Sequence, residues 1–309
     1  MPHPQLPTGS GFAIARSLMV DRMTAEVIGA LSRRGVEAIA LKGASFAVWL
    51  YRDGAVRSYG DCDVLVAPDQ VAAAQQVLRD LGFRDYSAPL AHPRLESHAW
   101  RRDPDWVDLH ETLIGMRVHP EEVWGTLSRR TESQRIGGAS LRVLDPVART
   151  LHVALHAAQH GKDEQKPLDD LGRALELLPE ELWTEAAELA ERLGATEAFA
   201  TGLRLLPQGH ALASRLGLGD AGSVESTLLI DPVPLALGFE HLSTVPGVGA
   251  KGLIVLRELV PTPAFMRWWS PLARRGPAGL ALAYCWRLVW LATQAVPGFL
   301  AWRRARRKS

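Results

Sequence analysis

Cysteine is nearly missing. The 309 residues hold two, Cys62 and Cys285, too few and too far apart to brace a secreted scaffold, and this suits a reducing compartment. Acid is missing from one end: residues 259–309 contain no Asp or Glu and nine of the chain's 35 basic residues. A long uncharged run is missing too. Residues 276–286 and 288–302 are uncharged, but Arg287 separates them, and each falls short of the roughly 20 residues a bilayer span requires. Residues 1–10 are polar and Pro-rich and lack the basic-then-apolar pattern of a secretion leader, so a cytoplasmic location is expected. No repeat of fixed period stands out.

What is present reads as globular, with 47% hydrophobic and 22% charged residues and length enough for two domains. The net charge of +1 hides a division. With nine basic and no acidic residues in 259–309, the first 258 residues hold 26 basic against 34 acidic groups, a balance of −8.

Helical spacing runs through residues 12–34 (Ile14, Leu18, Met19, Met23, Val27, Ile28, Leu31) and stops at Gly35. A strand is predicted over 36–41, a helix-like segment over 46–51, a strand over 61–66 and a helix over 68–81. Residues 97–101 and 106–111 read as strands joined by an Asp103-Pro104-Asp105 turn. Asp145-Pro146 is a strong helix start, and helices are expected over 147–159, 168–178, 180–193 and 197–206. Residues 207–222 read as loop or short helix, and the pattern beyond is weak as far as residue 265. The division expected is an N-terminal helix (1–34), a core of α+β class on one mixed sheet (35–144), a helical domain (145–222) and a helical C-terminal region with a basic tail (223–309).

The chemistry concentrates between residues 40 and 66. An apolar run leads into Lys42-Gly43-Ala44-Ser45, and Gly60-Asp61-Cys62-Asp63-Val64-Leu65-Val66 follows. On a strand, Asp61 and Asp63 project to one face and Cys62 to the other. Adjacent carboxylates repel unless a cation lies between them, and Mg²⁺ takes carboxylate and phosphate oxygens together. Trp106-Val107-Asp108-Leu109-His110 offers a third acid in the same apolar setting, with His110 on the same face as Asp108. Gly43 lets backbone amides approach a phosphate at a helix start, where Ser45 adds a hydroxyl and Lys42 a charge. Arg57 either clamps a triphosphate or pairs with the aspartates.

A turn of this kind, a spaced Asp-x-Asp and a later strand-borne Asp resemble the polymerase-β-like nucleotidyltransferases. Leu41-Lys42-Gly43-Ala44, Tyr51, Arg57, Asp61 to Val66 and Val107-Asp108-Leu109-His110 resemble, more closely, an uncharacterised nucleotidyltransferase family found in many bacterial gene clusters. The resemblance spans roughly residues 10–175. The turn departs from the superfamily's Gly-Ser, and the gap from Gly43 to Asp61 is longer. The resemblance implies a mixed sheet with flanking helices, and transfer of a nucleoside monophosphate from an NTP such as ATP to an acceptor. It implies Mg²⁺, or Mn²⁺ in its place, on Asp61, Asp63 and Asp108, with Asp108 also a candidate for the acceptor's proton. It further implies that His156, His160 and Asp170 line a helical wall of the cleft. The acceptor stays open among protein, peptide and small molecule. RNA is not favoured, because no basic stripe with interleaved aromatics marks the catalytic half.

Other patterns carry less. His152, His156 and His160 recur every four residues on one helix, but three such residues span more than two turns and cannot share one zinc ion. Gly247-Val248-Gly249-Ala250-Lys251-Gly252 fits G-x-G-x-x-G yet follows no strand, and reads as a loop before a helix over 253–259. Trp286, Trp290 and Trp302 with Arg303, Arg304, Arg306, Arg307 and Lys308 suit either an interfacial helix touching the inner membrane face or a core helix with a solvated basic end. Two rival functions remain: a metal-dependent Asp-x-Asp glycosyltransferase, and a non-catalytic nucleotide-binding adaptor at a membrane surface.

Overall fold

The computed structural model describes residues 10–87, 97–219, 223–224, 227–228 and 233–307. Residues 1–9 of the polar, Pro-rich N-terminal stretch, residues 220–222 of the Gly-rich stretch and Lys308 lie outside the described residues. The chain forms two compact units; the second holds residues 160–163 and those from 219 onward.

The first unit is built on a seven-stranded mixed sheet in the order β3-β4-β5-β2-β1-β7-β6. Its strands are β1 (Ala38–Ala40), β2 (Cys62–Val66), β3 (Arg84–Asp85), β4 (Ser97–Arg102), β5 (Asp105–His110), β6 (Thr131–Ile136) and β7 (Ala139–Leu144). β2 lies parallel to β5, in a register that sets Cys62 beside Val107 and Asp63 beside Asp108. Side chains alternate across a strand, so this register separates two faces. Cys62, Val64, Val66, Val107 and Leu109 pack into the core beneath α1 (Ser10–Arg33) and α3 (Val71–Asp80). Asp63, Leu65, Asp108 and His110 share the opposite face. All five residues of β2 are buried, as expected of a strand covered on both sides.

The helix expected over residues 12–34 is α1, and its stripe is buried only in part. Met23, Val27, Ile28 and Leu31 enter the core, whereas Ile14, Leu18 and Met19 stay exposed. The segment expected over 46–51 begins earlier, as α2 (Lys42–Leu50), with a break at Gly43. The β6–β7 hairpin and α4 (Pro120–Leu127) were not legible in the apolar pattern. Two glycines make the hairpin: Gly137 and Gly138 both have positive φ, and a Cβ on Gly137 would lie 2.2 Å from the Asp21 carbonyl oxygen of α1.

The helical stretch follows as α5 (Pro146–His160), α6 (Gln165–Leu177), α7 (Glu180–Arg192), α8 (Thr196–Leu203) and α9 (Pro207–Arg215). Asp145 caps α5 by accepting from the Ala148 amide at 2.8 Å.

The second unit contains α10 (Ala236–Thr244), α11 (Val248–Leu259), α12 (Pro263–Trp269) and α13 (Gly276–Arg306). α11 corrects the loop expected at Gly247–Gly252: helix begins at Val248, so Gly249 and Gly252 are helical. α13 joins the two uncharged runs into one helix of 31 residues, with Pro297 inside it. No helix among the described residues is long and apolar enough to cross a membrane.

Candidate active site

The site starts from the end of β1. The Leu41 amide donates to the Asp63 carbonyl at 2.9 Å, which fixes the following turn over β2. Lys42 and Gly43 then both take positive φ, 20° and 43°. For lysine this is strained backbone, and its result is specific: Lys42 Nζ lies 2.7 Å from Asp63 Oδ1. His110 Nε2 sits 3.1 Å from the same oxygen. Asp63, Asp108 and His110 each present one ligand atom, and these lie within 4.8 Å of one another.

The electrostatics follow from burial. Burial pushes the Asp63 carboxyl up, but Lys42 and His110 outweigh it and hold it well below its ordinary value. Asp108 is pushed up to about 6, by burial first and by the Asp63 charge second. Burial pulls the Lys42 ammonium down, yet Asp63 and Asp61 outweigh it and leave it raised. A buried carboxylate, Asp63, thus takes the Lys42 ammonium, and the half-buried Asp108 carboxylate beside it feels the same charge. A hard dication fits this donor set, because it would stabilise both charges at once.

Asp61 is half-buried at the mouth of β2, and its charge acts on Lys42 and on Cys62. It lies outside the three-residue ligand cluster, in which His110 stands instead. The Cys62 thiol faces the core, as its strand position implies, and burial raises its pKa.

Arg57 and Asp170 form a buried cross-link between the turn and α6. Arg57 Nε and Nη2 donate to the two oxygens of Asp170 at 2.8 and 2.7 Å, and Nη1 donates to the Gly43 carbonyl at 3.2 Å. Their side chains are 2% and 0% exposed. The Tyr51 hydroxyl donates to Asp170 at 2.8 Å. Of the two roles expected for Arg57, the structure displays pairing, and with Asp170 rather than with Asp61 or Asp63. The guanidinium grips the backbone of the Gly43 turn.

Ser45 is buried, and its hydroxyl has no hydrogen-bond partner among the described residues. His152 is buried edge-on against Phe46, with ring centroids 5.5 Å apart, and His156 lies 6.4 Å further along. Burial first and the Lys42 charge second hold His152 down to about 3, so it is neutral. His160 is the last residue of α5.

The model of a family described as uncharacterised nucleotidyltransferase matches residues 5–208. The chain belongs to that family, and it is an enzyme of the nucleotidyltransferase class. This sets aside both rival functions, the Asp-x-Asp glycosyltransferase and the non-catalytic adaptor. Among solved structures, the chain is similar to the solution structure of the antibiotic-resistance factor ANT(2'')-Ia, at 14% identity and TM-score 0.40, over 60% of this chain and 95% of that one. It is also similar to a crystal structure of an antigenic nucleotidyltransferase-like protein from Paracoccidioides brasiliensis, at 14% identity and TM-score 0.34, over 67% of this chain and 94% of that one. No curated protein matches the chain by sequence.

Proposed function

We propose that this nucleotidyltransferase transfers a nucleoside monophosphate from an NTP to a hydroxyl-type acceptor in a Mg²⁺-dependent reaction, with Mn²⁺ as the substitute ion and ATP as the first donor to test. The observation that carries the reading is the pair Asp63 and Asp108, in register on parallel strands, with His110 beside them and Lys42 on Asp63. Asp63 and Asp108 are the residues that would hold the ion, with Asp61 at the mouth of the strand completing the acidic field. When bound, a dication neutralises phosphate charge and lowers the pKa of an attacking hydroxyl.

The acceptor oxygen attacks the α-phosphorus, the bond from that phosphorus to the bridging oxygen breaks, and pyrophosphate leaves. Asp108 receives the acceptor's proton, a role suited by a carboxyl pushed up to about 6. The Gly43 amide, the Lys42 ammonium and the Ser45 hydroxyl receive phosphate oxygens. Arg57 and Asp170 act as positioning residues that hold the turn, and His156 lies in the wall behind His152. The acceptor is a protein, peptide or small molecule, and the enzyme works in the cytoplasm.

The test incubates the full chain with each α-labelled NTP, Mg²⁺ or Mn²⁺ and a cell lysate, then separates labelled products by size. Transfer with matching pyrophosphate release, lost in Asp63→Asn, supports the proposal. Failure of all four NTPs to give either product, or full activity in Asp63→Asn, overturns it.

A further inference from the structure

Charge on α13 is distributed the reverse of a solvated surface helix. Leu282, Trp286, Val289, Val296 and Leu300 follow one another at helical spacing, and all five are exposed, Val296 at 66%. Every other exposed residue between 281 and 300 is uncharged as well. The one charge in that stretch, Arg287, is turned inward. It is 4% exposed, Nη2 donates to Glu258 at 2.8 Å, and the guanidinium lies over the Phe265 and Trp269 rings. A soluble helix solvates its charge and hides its leucines; here the leucines face out and the arginine is enclosed. The exposed stretch is roughly 30 Å long at 1.5 Å per residue. Apolar surface this continuous marks an interaction site.

Cations bracket the stretch. Arg274 and Arg275 are exposed before it, and Arg303, Arg304, Arg306 and Arg307 are exposed after it. Arg303, Arg304 and Arg307 have no ion pair among the described residues, and nothing acidic occurs from residue 259 to the end of the chain. An apolar face between two cationic ends matches one kind of surface, acyl chains beneath anionic headgroups. A second copy pairing through its own α13 would instead bring further cations to this acid-free stretch. We propose that α13 lies in the plane of an anionic bilayer surface, with the Leu282–Leu300 stripe in the acyl boundary and the flanking arginines at the headgroups.

The test is flotation of the full chain with phosphatidylcholine vesicles, with and without about one third phosphatidylglycerol. Binding is expected to require the anionic lipid and to weaken as salt rises from about 0.1 M to about 0.5 M. Val289→Asp with Val296→Asp, and separately Arg303→Glu with Arg304→Glu, should each lower the bound fraction by about tenfold or more, with an unchanged circular dichroism spectrum because the sites are exposed. Absence of flotation with anionic vesicles overturns the proposal. So does undiminished flotation of the folded Val289→Asp/Val296→Asp variant. A dimer in light scattering that this variant dissociates, without vesicle binding by the parent chain, assigns the face to a second copy and also overturns it.

Discussion

Lys42 sets its charge against the carboxylate pair. Its ammonium offsets the Asp63–Asp108 repulsion while the site is without an ion, and its strained φ of 20° keeps it there. Lys42→Met should therefore lower the Tm without divalent ions and enlarge the Tm gain on adding Mg²⁺, because the ion then relieves a repulsion that nothing else offsets. Thermal unfolding with and without Mg²⁺ measures this. Gly43→Ala places a side chain at φ 43°, and it should destabilise by about 1 kcal/mol in urea unfolding while reducing transfer more than stability. The carboxylate pair was legible in the sequence, since Asp-x-Asp before an apolar strand and Asp108-x-His110 on another fix which faces they occupy. The grip of Arg57 on Asp170 was not, because 113 residues separate them and no local pattern links them.

At the level of elements, the Arg57–Asp170 pair joins the segment between α2 and β2 to α6, and Arg57 also holds the Gly43 break in α2. Asp170→Asn leaves a buried guanidinium short of its partner and should cost about 3–5 kcal/mol. Arg57→Lys keeps the charge but loses the two-pronged geometry, so it should destabilise less and impair NTP affinity through a loosened Gly43 turn. Urea unfolding set beside NTP binding distinguishes the two effects. The strands on either side of the aspartates were legible because their apolar flanks are buried. The β6–β7 hairpin was not: β6 (Thr131–Ile136) reads Thr-Glu-Ser-Gln-Arg-Ile, an edge strand whose polar side chains face water, and only Gly137-Gly138 betrays it. The G-x-G-x-x-G pattern misled for the opposite reason. Gly249 and Gly252 lie within α11 with nothing near them, so helix tolerates them at a modest cost.

For the molecule as a whole, acid sensitivity offers a global readout. His152 is held down to about 3 in the fold against 6.5 when unfolded, so between those values the unfolded chain binds more protons. Its contribution is intact above 6.5 and is lost as pH falls toward 3, at no more than about 1.4 kcal/mol per pH unit. Asp108 acts in the opposite sense: its folded value of about 6 exceeds 3.8, so it favours the fold below about 4 and loses that effect as pH rises through 6. His152→Leu should flatten the acid limb of stability and leave a net decline between about pH 4 and 6, read from urea midpoints across pH. Metal-assisted transfer at the carboxylates is read from single-turnover transfer measured beside NTP affinity in Asp63→Asn, Asp108→Asn and Cys62→Ser. Transfer should fall by about 10²-fold or more in both Asn variants. NTP binding should be partly retained, and Cys62→Ser, whose thiol faces the core, should behave near-parentally. Near-parental transfer in both Asn variants with loss in Cys62→Ser would contradict metal-assisted transfer at the carboxylates.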